Sequence, residues 1–193
     1  MKIVLFLLSL LLVSPAFAQS VEDGYVAYDD GDYEKAKSIF HALAEQGDAK
    51  AMNAIGLLYS WGKAYPHNRK IACDWYEKAA NKDFLSAKYN FARCFEVDGG
   101  RKRSVKKQLE WLTKAAHKGH KPSQIALMMF YADTNQDLSK EWGQKAVDSG
   151  SIYALVSMWE MGYDYIGPEP TFRQIACVYT MNIMLKKQTN YCE

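Results

Sequence analysis

One interval constrains this chain more than any single residue does: its motifs return every 36 positions. Ala44, Ala80 and Ala116 keep that spacing, within Leu43-Ala44-Glu45-Gln46-Gly47, Lys78-Ala79-Ala80-Asn81-Lys82-Asp83 and Lys114-Ala115-Ala116-His117-Lys118-Gly119. Tyr59, Phe95 and Tyr131 repeat it, and so do Trp75 and Trp111. A period of this size marks stacked helical hairpins, because one hairpin is too small to bury its apolar face alone. A fourth copy, Lys145-Ala146-Val147-Asp148-Ser149-Gly150, follows after 31 residues; a loop shortened by about five residues explains the difference, since loops give way before helices do. The expectation is an all-α solenoid, an alpha-alpha superhelix of helical hairpins.

Apolar residues at helical spacing fill in the units. Ala36, Ile39, Phe40 and Leu43 form one stripe, and Tyr25 and Tyr28 belong to a short capping helix before it. Ala51, Ala54, Ile55, Leu58 and Tyr59 form the next, answered by Ile71, Ala72, Trp75, Tyr76 and Ala79. Ala87, Phe91, Cys94 and Phe95 then pair with Val105, Leu109, Trp111, Leu112 and Ala115, and Ile125, Ala126, Met129 and Phe130 are expected to line the helix after that. The resulting organisation is a half-repeat at 29–46 and units at 47–82, 83–118, 119–149 and 150–187, all within a single domain spanning 19–193. Trp75, Trp111 and Trp142 recur in phase and read as packing residues between helices. Trp61, Tyr65, Trp159, Tyr163 and Tyr165 fall out of phase near loops and read as a recognition surface.

Residues 1–18 stand apart. Lys2, the hydrocarbon run Ile3 to Val13 and the small-x-small triplet Ala16-Phe17-Ala18 have the order of a cleaved secretory signal. The run is shorter than a bilayer span, so the expectation is export to a periplasm or the exterior without stable membrane insertion. The formal net charge is +2, too small a field to recruit nucleic acid or an anionic membrane. Only Arg101-Lys102-Arg103, with Lys106 and Lys107, concentrates positive charge. It reads either as a solvated first helical turn or as a docking patch for an acidic partner.

The units resemble the Sel1-like repeat family, relatives of the tetratricopeptide repeats. Ala51 to Gly62 reads AMNAIGLLYSWG, Ala72 to Ala80 reads ACDWYEKAA, and Leu109 to Gly119 reads LEWLTKAAHKG. These follow a family pattern of A-x-x-x-L-G-x-x-Y-x-x-G, a short loop, and A-x-x-W-Y/L-x-K-A-A-x-x-G. Leu127-Met128 replaces the Leu-Gly pair, so close helix packing is expected to relax toward the C-terminus.

Four cysteines in an exported chain point to disulfides. Cys73 and Cys94 lie about equally far from a turn near Asp83, and Cys192 could fold back onto Cys177. That is the favoured pairing of the three available. The resemblance adds that cysteine-rich members bridge the helices of their repeats, so the Cys73 and Cys94 pair looks like a sparse version of that device.

No phosphate-binding glycine loop, Gly-x-Ser-x-Gly or His-Glu-x-x-His occurs. His117 and His120 straddle a turn and read as a solvated helix end rather than metal ligands. No catalytic residue, metal site or cofactor is assigned. The expected function is binding of a protein or peptide, with Trp61, Tyr65, Arg101, Lys102, Arg103, Tyr163 and Tyr165 as candidate contacts. The resemblance alone supplies the alternative, a cell-wall or beta-lactam-related hydrolase.

Overall fold

Helix boundaries follow from side chains that stand in for missing backbone partners. Asp48 accepts from the Ala51 amide at 2.7 Å, Asn68 from Ile71 at 3.0 Å and Asn135 from Leu138 at 3.1 Å. Each satisfies an amide that its helix leaves open. Ser20, Asp32, Ser104 and Ser151 do the same for their helices.

A computed structural model describes residues 19–163 and 167–183, and its regular structure there is entirely α-helical. The order is α1 Val21–Asp29, α2 Tyr33–Glu45, α3 Ala49–Trp61, α4 Arg69–Asn81, α5 Leu85–Arg93, α6 Val105–Ala116, α7 Lys121–Tyr131, α8 Gln136–Asp148, α9 Ile152–Glu160 and α10 Phe172–Ile183. Each helix packs on the next, giving the solenoid of hairpins that the period implies. The stretch at 29–46 contains α2, and α1 packs against it as the other arm of a hairpin.

The arms come closest where a small residue on one faces a large residue on the other. A Cβ on Gly24 would lie 2.4 Å from the Phe40 ring, and one on Gly56 2.4 Å from the Tyr76 ring. In the same register the next units pair Ala92 with Leu112, then Met128 with Gly143. Leu127 and Met128 are fully buried, and a Cβ on Gly143 would stand 3.0 Å from the Met128 sulfur. Packing at this hairpin therefore does not relax. The glycine has changed arms, and the space it leaves is filled by Met128 together with Met158 of α9, whose sulfur would stand 2.5 Å from the same Cβ.

The fourth unit also corrects the expected stripe. Met129 and Phe130 are 50% and 37% exposed, while Ser123, Gln124, Leu127 and Met128 are buried. These are the positions 36 residues after Ala87, Lys88, Phe91 and Ala92; the backbone register fixed by earlier turns overrides local hydrophobicity. Val105 is likewise exposed, at the first turn of its helix. Trp142 is buried as expected, while Trp75 and Trp111 are half-buried, packing edge-on against His41 and Phe91.

The turn after α4 departs from its equivalents. Gly47, Gly119 and Gly150 have φ of +90°, +80° and +80°, but the in-phase residue is Asp83, at +69°. Left-handed backbone disfavours side chains, with Asp among the tolerated exceptions. Its carboxylate accepts from Lys118 and Lys88, and these hydrogen bonds, Lys118's first, hold its pKa down at about 2. Lys88 is buried at the position that Met52 and Gln124 occupy in neighbouring units.

Cys73 on α4 and Cys94 at the end of α5 form a disulfide, with Cα atoms 5.9 Å apart. This is the expected pair, but it joins the unit at 47–82 to the unit at 83–118. The bond therefore staples neighbouring units. Cys177 is also disulfide-bonded, and Cys192 lies outside the described residues.

Candidate functional site

Because the helices alternate in direction, the odd-numbered ones run parallel along one side of the stack. There α3 and α5 touch, and Asn90 donates to the Asn53 side-chain oxygen at 2.9 Å. No pair of even-numbered helices packs comparably among the described residues.

A cleft of ≈ 340 Å³ opens on this side between α1 and α3. Tyr25, Tyr28 and Asp29 from α1, Phe40 from α2, and Ala54, Leu57 and Trp61 from α3 line it. Gly24 creates the room for Phe40 beneath α1. Tyr25 meets the Phe40 ring edge-on at 5.2 Å, and Tyr28 leans toward Trp61 at 6.1 Å. Trp61 remains 57% exposed. Burial, followed by the Glu22 and Asp48 charges, pushes the Tyr25 phenol up to about 12. Burial, then Tyr33 and Asp29, raises Tyr28 as well. Both rings therefore stay neutral at physiological pH.

Leu57 in the cleft wall has counterparts in the next two units. Leu57, Arg93 and Met129 recur at the repeat interval on α3, α5 and α7, and Arg93 and Met129 are exposed. Such a track offers an extended segment contacts along several units.

The candidate contacts separate in space. Trp61 forms a wall of the cleft. Tyr65 stacks on Tyr59 with centroids 4.0 Å apart, places its hydroxyl 2.5 Å from His41 Nε2, and carries Lys37 over its ring. Burial above all lifts its phenol to about 12, so this half-buried tyrosine anchors its own loop. Arg101 reaches back to α4, donating to Asp74 at 2.7 Å and Glu77 at 2.9 Å. Lys102 and Arg103 are exposed beside it. Tyr163 is half-buried beneath Lys140, and Tyr165 lies outside the described residues. His117 packs on Trp142, and His120 faces Ser123 and Tyr89.

Tyr25, Tyr28, Asp29 and Leu57 were not expected as site residues. One signal was present in the sequence. Trp75, Trp111 and Trp142 are each followed three residues later by a lysine, Lys78, Lys114 and Lys145. Those lysines lie over their own rings at 4.2, 4.4 and 4.3 Å. Trp61 is followed at that spacing by Ala64.

Comparison with solved structures places this architecture. A Sel1 repeat protein from Oxalobacter formigenes superposes with a TM-score of 0.67 at 21% identity, covering 87% of this chain and 71% of that one. The fold is the Sel1-like repeat fold. The protective antigen c5321 of uropathogenic Escherichia coli, which displays an SLR fold, matches with a TM-score of 0.65 at 26% identity over 86% of this chain. The match takes in 37% of that antigen's chain. The F-box protein At1g70590 of Arabidopsis thaliana is 31% identical over 74 residues, 38% of this chain and 20% of that protein. No protein-family model matches the sequence. The resemblance read from the Sel1-like motifs thus agrees with the fold. No described helix is long and apolar enough to cross a membrane.

Proposed function

We propose that this chain is an exported interaction module that holds a protein or peptide partner along its odd-helix face. The observation that carries this reading is the aromatic cleft between α1 and α3, whose wall residue Leu57 recurs in phase as the exposed Arg93 and Met129. A solenoid devotes its core to joining repeats, so what it offers other molecules is surface. The signal-like residues 1–18 and the Cys73–Cys94 bond together favour an oxidising compartment, a periplasm or the exterior.

The test places a photoactivatable amino acid at Arg93 or Met129 on the odd face, and at Lys106 or Glu110 on exposed α6 in parallel. Irradiation in the native cell is expected to trap one specific protein from the first pair only. Equal trapping from both faces, or none from either, refutes the reading.

A further inference from the structure

The cleft also indicates what kind of group it holds. We infer that it takes the cationic side chain of an arginine or lysine carried on an extended segment of the partner. This rests on the interaction-module reading above and goes beyond it by naming the chemistry of the contact.

Three observations converge. The first is the set of walls: the aromatic rings of Tyr25, Tyr28 and Trp61, over a buried Phe40, line a space at the small end of ligand-binding clefts. Such rings attract cations through their quadrupoles. The second is how this protein treats its in-phase tryptophans. Each carries its own lysine, whereas the two out-of-phase ones, Trp61 and Trp159, have Ala64 and Gly162 at that spacing, and of these Trp61 lines the cleft. A partner is free to supply the cation that the other repeats provide internally.

The third is electrostatic. Between Gln19 and Glu34 there is no lysine or arginine, while Glu22, Asp23, Asp29, Asp30, Asp32 and Glu34 are all acidic. Four of these have partners: Glu22 takes Lys50, Glu34 takes Lys37, Asp23 accepts from the Ser20 amide in a capping box, and Asp32 caps α2. Asp29 and Asp30 form no ion pair among the described residues, and Asp29 lines the cleft. Asp29 is also the last residue of α1, where a carboxylate opposes the helix dipole, and neither α1 nor α3 has a basic residue in its last turn. Two helix carbonyl ends and a carboxylate therefore bias this end of the cleft toward positive charge. Lys50 already lies over the Tyr25 wall, near the start of α3, and Lys63 lies over Tyr33, but among the described residues no lysine or arginine lies over Tyr28 or Trp61, the rings at the Asp29 end.

The experiment titrates the purified, disulfide-intact protein with blocked pentapeptides on a Gly/Ser frame whose central residue is arginine, lysine, norleucine or glutamate. The reporter is the Trp61 indole N–H resonance, assigned by its loss in Trp61→Phe. The arginine and lysine peptides are expected to shift it saturably, at least about tenfold more tightly than the norleucine or glutamate peptides. Asp29→Asn should weaken the arginine peptide several-fold, as should raised salt; circular dichroism confirms that the variant is folded. Norleucine binding as well as arginine, no saturable shift from any peptide, or indifference to Asp29→Asn each overturns the inference. A resonance that moves with protein concentration alone does so too, assigning the cleft to a second copy. A trapped partner without cation preference sinks this inference alone, whereas cation binding without a trapped partner sinks only the module reading.

Discussion

Exchanging Gly56 for alanine tests whether hairpin volume is shared between facing residues. In an ordinary helix interior this change is favourable by about 1 kcal/mol, since glycine carries the larger entropic cost. Here the new Cβ would lie 2.4, 2.6 and 3.1 Å from three carbons of the Tyr76 ring. Tyr76 is buried, so the ring has little space to retreat. Overpacking of this kind costs about 1–3 kcal/mol, and three simultaneous clashes with a rigid ring put the site at the upper end. Gly56→Ala should therefore destabilise by about 1–2 kcal/mol net of propensity. Tyr76→Leu alone leaves a cavity and should cost about 2–3 kcal/mol. The double variant recreates the Ala92 and Leu112 pair of the next unit. In it the alanine should be neutral or favourable, giving a coupling of at least about 1 kcal/mol. Urea unfolding of the four proteins, followed by circular dichroism with the disulfide intact, measures the cycle. A Gly56→Ala protein as stable as the parent, or effects additive within about 0.5 kcal/mol, would refute shared volume.

Gly143→Ala should cost less than Gly56→Ala by the same assay, because its Cβ meets the thioether ends of Met158 and Met128, which can swing aside. Replacing both Cys73 and Cys94 by alanine should lower stability by about 3 kcal/mol on the chain-entropy estimate for a loop of this length; an unchanged urea midpoint would contradict it. Lys88→Met, which copies Met52, should leave stability unchanged or raise it by up to about 1 kcal/mol, since a desolvated ammonium is replaced by a side chain that needs no partner. Asp83 has a folded pKa held near 2, below its ordinary 3.8, so the stability it contributes is complete above pH 4 and lost as pH falls toward 2. Asp83→Asn should flatten that part of the acid limb, and carboxyl NMR titration of the parent should find the low pKa directly.

The interval of 36 residues, with polar caps such as Asp48 and Asn68, was enough to specify helices, their order and their stacking. These are local or nearest-neighbour properties, set by hydrogen bonds within a turn and by apolar stripes a few residues apart. The Cys73–Cys94 pair was legible for the same reason, being symmetric about one turn. Met129 and Phe130 were misassigned because hydrophobicity does not say which side of a helix earlier turns have rotated toward the core.

The cleft belongs to the other category. Tyr28 and Trp61 are separated in sequence by the whole of α2, and only the packing of α1, α2 and α3 brings them together, over a Phe40 ring admitted by Gly24. Likewise Arg101 looked like part of a free basic patch until Asp74 and Glu77 of α4 came within reach. Sequence by itself determined the repeating scaffold, since its energetics are short-ranged. Tertiary structure decided which aromatic and charged groups were left for other molecules, because that depends on which side chains the neighbouring repeats have already engaged.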